Sequence, residues 1–185
     1  YDSAIESPKS ALILRKESQN KLYINSLEGF MTPVYDLNSY KKIGLIRHEF
    51  DSGNANLFLE SQFHDYRFRT RQNHVNIFKG KPVEMCVSHN GKYLWIPYYR
   101  RDYDKNAVDP SAVAIIHTDT DQIVRVMPTA PLPKMIACSP DNKYIAVTNW
   151  GDNTVHLIAI DSDNPSDFRY VKHFAVEHKL TVNNT

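Results

Sequence analysis

What the chain lacks narrows its class before any motif is read. No run of about 18 apolar residues occurs, so no segment reads as a transmembrane helix. No block of one charge occurs either: 22 basic and 21 acidic residues are interspersed to a formal net charge of +1. That balance leaves no electrostatic footprint for nucleic acid or a membrane surface, and points to a protein, glycan or small molecule as partner. Helix signals are nearly missing, because no segment sustains an i, i+3, i+4 apolar pattern capped at both ends, and Pro and Asx turns interrupt the chain roughly every 8 to 12 residues.

Catalytic signatures are also absent. G-x-S-x-G, a Cys patterned with a nearby His, and Gly-rich phosphate loops do not occur in a chain with 6 glycines and 2 cysteines. His48, His64, His74, His89, His117, His156, His173 and His178 show no H-x-x-x-H or H-E-x-x-H spacing, so no metal or other cofactor is expected within the chain. The chain opens at Tyr1 instead of Met, which points to an upstream segment that has been removed or is absent.

What is present is a repeat. At 185 residues, 42% hydrophobic and 23% charged, the composition is globular and allows a sizeable core. From Pro82 the chain reads PVEMCVSHNGKYLWIPYY, and 51 positions later, from Pro133, it reads PKMIACSPDNKYIAVTNW. Pro82, Ser88, Lys92 and Tyr93 meet Pro133, Ser139, Lys143 and Tyr144 without a gap. Each copy predicts a first strand (Val83 to Ser88, Lys134 to Ser139), a polar turn, and a second strand (Tyr93 to Tyr99, Tyr144 to Asn149). Third strands follow at Ala112 to His117 and Thr154 to Ile160, and fourth strands at Gln122 to Met127 and Phe168 to Phe174.

A weaker copy precedes both, with strands at Ala11 to Leu14, Lys21 to Asn25, Val34 to Leu37 and Lys42 to Arg47. Four-stranded units repeating at roughly 40 to 50 residues are the signature of β-propeller blades. The units fall at about 10–47, 82–127 and 133–176, with an insertion over 48–80 that is rich in aromatic and basic residues. Within it Phe58, Phe63, His64, Tyr66, Arg67, Phe68, Arg69 and Arg71 stand out, and Tyr66 to Thr70 alternates like a strand. It reads either as a partner-docking hairpin or as a completing strand of a blade, and a fourth blade built from it stays open.

Ser139-Pro140-Asp141-Asn142-Lys143-Tyr144, then Val147-Thr148-Asn149, Asn153-Thr154-Val155 and a closing Ile160-Asp161, resemble the YVTN-type propeller repeat. The resemblance implies an all-β propeller of four-stranded antiparallel blades, of seven in all, in a secreted, periplasmic or cell-surface bacterial protein. Three or four units fall short of that number, so further blades are expected from the rest of a longer chain or from another chain.

The first copy carries 9 extra residues within Arg100 to Pro110, in a loop class that shares one rim of a propeller. Tyr98, Tyr99, Arg100, Arg101 and Tyr103 cluster around it, residue types enriched at binding hot spots, though a solvated loop with surface ion pairs reads equally well. In the next copy the corresponding turn holds Trp150 and Asp152. Trp150 either stacks on a ligand at the same rim or packs between blades, and Gly151 and Asn153 serve turn geometry. Glu84 and Lys134 lie in first strands, which face the central channel, and either meet a ligand there or line a wet channel.

Cys86 and Cys138 fall one position out of register between the copies and are expected on opposite sides, as buried unbonded thiols. Asn183-Asn184-Thr185 fits a glycosylation sequon that recurs by chance. The function expected is a non-catalytic binding or scaffold module that holds a protein or glycan partner on its rim. The alternative is a propeller enzyme or redox subunit, a lactonase-like hydrolase or a metal or quinone oxidoreductase.

Overall fold

In a computed structural model, which describes residues 1–59 and 77–175, the chain is folded almost wholly into strands. The first sheet is β1 (Pro8–Lys16), β2 (Gln19–Ser26), β3 (Met31–Asp36) and β4 (Lys42–Arg47), antiparallel and in that spatial order. The middle sheet contains β5 (Glu49–Phe50), β6 (Phe78–Pro82), β7 (Cys86–Ser88), β8 (Tyr93–Arg101), β9 (Ala112–His117) and β10 (Gln122–Pro128). The last sheet is β11 (Pro133–Cys138), β12 (Tyr144–Asn149), β13 (Thr154–Ala159) and β14 (Arg169–Ala175), again in chain order.

Alternation decides which way each side chain goes. In β12, Ile145, Val147 and Asn149 are buried while Tyr144, Ala146 and Thr148 are not, the period of two that a pleated strand imposes. The middle sheet is covered on both faces, so β8 is buried at successive positions from Tyr93 to Tyr98. Its Leu94, Ile96 and Tyr98 join Tyr23, Val34 and Ile46 of the first sheet in one core. Tyr93 and Trp95 join Ile136, Ile145, Val147, Ile158 and Phe168 in the other. The hairpin turns use residues that tolerate left-handed backbone: Asn90 has φ 54°, Gly91 φ 84° and Asn142 φ 56°.

The middle sheet departs from the four-strand pattern expected of every unit. β6 and β7 lie one after the other along β8, β7 beside Tyr93–Trp95 and β6 beside Tyr98–Arg101, and β5 extends the edge beyond β6. The described part of the insertion therefore joins this sheet. Phe50, Phe58 and Phe78 pack together with ring centroids 4.9–5.9 Å apart and close over Tyr98, which explains why the segment is aromatic. Phe58 also bridges to Val126 in β10. Phe63, His64, Tyr66, Arg67, Phe68, Arg69, Arg71 and the strand-like stretch Tyr66 to Thr70 lie outside the described residues, as does the C-terminal sequon.

The two cysteines are unbonded as expected, but they correct the expectation of opposite sides. Both are free and half-buried, and both pack against the core between the middle and last sheets. Being out of register puts them on opposite faces of their own sheets, and in consecutive stacked sheets those faces meet at one seam. Burial pushes both thiols up from the usual range, Cys86 further because it is the more deeply enclosed, with Cys138 adding to it.

Ahead of β1, the leading segment folds over the outward face of the first sheet. The Asp2 carboxylate accepts from Tyr35 Oη at 2.6 Å, from Lys42 Nζ at 2.9 Å and from the Ala4 amide at 2.9 Å. Those bonds hold Asp2 well below the usual carboxylate range, and burial with the Asp2 bond pushes Tyr35 up to about 12. Tyr1, Ile5, Leu22 and Ile24 line the concavity left beside them. The outward side of the last sheet bears exposed Met135, Tyr144, Val171 and Phe174.

Candidate binding site at the mouth of the second seam

Adjacent tyrosines of β8 part company at the rim. Alternation sends Tyr98 into the first seam, where it is 0% exposed, and leaves Tyr99 half-buried on the side of the last sheet. Facing Tyr99, β11 begins with a β-bulge: Pro133 pairs with Asn149 and Met135 with Thr148, so Lys134 is the extra residue. Beyond β12, the turn carrying Trp150 is tied down. Trp150 N donates to Leu132 O at 2.9 Å and Gly151 N to Pro131 O at 3.1 Å. Gly151 is needed for that approach, because a Cβ there would lie 2.5 Å from Pro131 Cβ. Asn153, at φ 56°, supplies the turn geometry expected of it.

These elements converge on one arrangement. Lys134 Nζ sits 4.5 Å from the ring centroid of Tyr99 and 4.6 Å from that of Trp150, an ammonium between two aromatic faces. Trp150 is 62% exposed, so its outer face is open while Lys134 steadies its inner one. Burial and then the neighbouring Lys9 push the Lys134 ammonium below the usual lysine range; Glu84 acts the other way. Lys134, which the sequence put on the channel, thus stands with Tyr99 and Trp150, which it put on the rim.

The remaining rim candidates go elsewhere, which corrects the expectation of a solvent-facing Arg–Tyr loop. Arg101 is fully buried, 4.3 Å above the Phe78 ring, and donates to Tyr103 Oη at 3.1 Å and Ser111 O at 3.4 Å. Tyr103 is half-buried and occupied with Arg101, and the Arg100 guanidinium donates to Lys105 O within its own loop. Asp152 is buried and accepts from Thr154 Oγ1 at 2.6 Å, which closes the turn below Trp150.

Tyr98 ends a buried polar chain that no sequence motif announces. Asn25 Nδ2 donates to Val83 O at 2.9 Å, and Thr32 Oγ1 donates to Asn25 Oδ1 at 2.6 Å. His48 Nε2 then lies 2.8 Å from Thr32 Oγ1, and His48 Nδ1 lies 2.9 Å from Tyr98 Oη. The directions that satisfy every group put the imidazole proton on Nε2, with Tyr98 donating to Nδ1. Burial pushes His48 down to about 3 and Tyr98 well above the phenol range, so both are neutral structural groups at physiological pH. Lys9 was also missed. The Pro-Lys pair of Pro8-Lys9 matches Pro133-Lys134, but a first strand read from Ala11 starts too late to show it.

No protein-family model matches the chain, and no curated protein matches it in sequence. Solved structures do match in shape. Hydrazine synthase of Kuenenia stuttgartiensis aligns with 97% of the chain at a TM-score of 0.62 and 15% identity, over 38% of its own length. The periplasmic gluconolactonase of Pseudomonas aeruginosa aligns with 93% of the chain at 0.57 and 12% identity, over 40% of its length. A protein of Lactobacillus plantarum aligns with 94% at 0.57 and 12% identity, over 43% of its length.

The fold is a partial β-propeller. At these identities the likeness concerns the fold alone, and the chain spans about two fifths of the propeller-containing chains it matches. Among the described residues, no helix is long and apolar enough to cross a membrane. In the first and last sheets the first strand in the chain, β1 or β11, forms one edge, as β7 does beside the start of β8, and the Tyr99–Lys134–Trp150 arrangement lies at the start of β11.

Proposed function

We propose that this partial propeller belongs to a non-catalytic binding module, which holds a protein or glycan partner at the mouth of the second seam. The setting is the secreted or envelope protein that the repeat resemblance implies, with further blades supplied by the rest of a longer chain or by another chain. The observation that carries the reading is the exposed Trp150 face, held in place by Lys134 against Tyr99. The other tryptophan, Trp95, is consumed in the second seam. An exposed indole on a tied-down turn costs little ordering entropy when a partner lands on it.

The test is capture of partners from extracts of the source cells by the wild-type chain and by Trp150→Ala and Tyr99→Ala variants. Loss of the captured species in both variants, with unchanged thermal unfolding, is the expected result. Equal capture by all three proteins would sink the assignment.

A further inference from the structure

We propose that His156 and His173 form a two-imidazole site for a divalent transition-metal ion, of the zinc or copper kind, on the last two strands of the last sheet. The site shares no residue with the arrangement at Trp150 and stands or falls apart from it.

A bulge brings the ligands together. His156 of β13 lies directly opposite His173 of β14, and Leu157 opposite Lys172, but Ile158 pairs with Tyr170, so Val171 is the extra residue. In an unbroken strand Tyr170 and His173 would point to opposite faces. The bulge puts both on the face of His156 and Ile158, the side on which Ile158 and Tyr170 join the core of the second seam. The spacing rules that find metal motifs work along one segment, whereas these two histidines meet across a pair of strands.

The rings are already close. The His156 and His173 centroids are 6.2 Å apart with planes at 60°, and the Tyr170 ring meets His156 edge-on at 5.5 Å. These three side chains, with Val171 and Lys172, line a cavity of about 150 Å³. Imidazole nitrogens bind zinc at about 2.0–2.1 Å, which sets two rings on one tetrahedral ion roughly 5 Å apart between centroids. The excess, on the order of 1 Å, is taken up by rotation of the exposed His173 ring. His156, 6% exposed and packed on Tyr170, supplies a fixed first ligand.

The donor set selects the ion. Imidazole suits zinc, copper and nickel, whereas magnesium and calcium require oxygen ligands. Among the described residues no group of three or more His, Cys, Asp or Glu side chains is placed to hold a metal, so no carboxylate adds to the pair. Water or a group from a partner then completes the coordination. Lys172, whose charge would oppose a cation, is turned away: it pairs with Leu157 on the other face, and its ammonium sits 5.2 Å from the Phe174 ring centroid. An anion would instead need both rings protonated, and neutral imidazole is the main form of a free histidine at neutral pH.

The experiment titrates zinc chloride into the intact chain by calorimetry, with magnesium chloride as the comparison, and follows the imidazole resonances by NMR. Zinc is expected to saturate at one ion per chain, with magnesium at least about a hundredfold weaker. Two imidazoles should shift together as that equivalent is added. His173→Gln, at an exposed position, is expected to weaken zinc binding at least about tenfold with unchanged thermal unfolding.

His156→Gln should weaken it as much, and where that buried variant fails to fold the His173 variant still decides. Zinc binding unchanged in His173→Gln would put the ion on other groups and overturn the site. Absence of saturable zinc binding, or equal binding of magnesium, would overturn it as well.

Discussion

Between the first and middle sheets, the propeller buries a hydrogen-bonded chain from Val83 to Tyr98 and an ion pair at 2.8 Å between Lys21 and Asp121. Between the middle and last sheets it buries mainly apolar groups, with Trp95 stacked on Phe168 at 5.5 Å and two thiols at the margin. The first seam is closed at its rim by Phe50, Phe58 and Phe78, and the second is left open there to Trp150. The same tyrosine pair shows the consequence: Tyr98 becomes core because the insertion covers it, and Tyr99, one residue on, becomes part of a site. Two seams of one repeat can therefore be specialised separately, one for polar specificity and one for access.

The contrast can be broken most directly at its apolar side. Trp95→Ala removes the largest buried side chain, its stack on Phe168 and its 2.9 Å bond to Ser88, and should cost about 3–5 kcal/mol in urea unfolding. A loss below about 1 kcal/mol would show that the second seam tolerates a cavity and is less tightly packed than described. On the polar side, Asp121→Ala takes the partner from buried Lys21 and from Tyr23 Oη, bonded at 2.8 and 2.7 Å, and should cost about 3 kcal/mol.

His48 sharpens the comparison through pH. Its folded pKa, about 3, lies below the unfolded value of about 6.5, so between those limits the unfolded chain binds the extra proton. Its contribution is intact above about pH 6.5 and should decline by up to about 1.4 kcal/mol per pH unit as pH falls toward 3. Unfolding curves at several pH values for wild type and His48→Gln check this, the variant being less stable at neutral pH but flatter below it. The smallest effect is expected at the open rim, where Trp150→Ala should change stability by no more than about 0.5 kcal/mol. A larger loss would mean that the indole is a packing residue and the seam is closed.

The architecture was legible because it rests on period-two alternation and turn residues, both local. Strands β8 to β14 lie within a residue or two of where the repeat places them. Tyr98 and Arg101 were misplaced because their burial depends on Phe78 and the aromatic insertion, which sit far along the chain and carry no repeat signal. The cysteines are unbonded as their register suggests, but they share a side because facing within one sheet does not decide it where a seam joins two. Lys134 and Trp150 were each singled out, but their meeting requires a bulge and a tied-down turn, and neither has a sequence signature beyond the paired Pro-Lys steps.

Residues 1–7, ahead of β1, have a colloidal consequence. They lie beside Leu22 and Ile24 and are held by the carboxylate of Asp2 on Tyr35 and Lys42. A protease that clipped this short strap would bare a concave, partly apolar sheet face without touching either seam. An apolar sheet face bared in this way is a surface on which proteins associate.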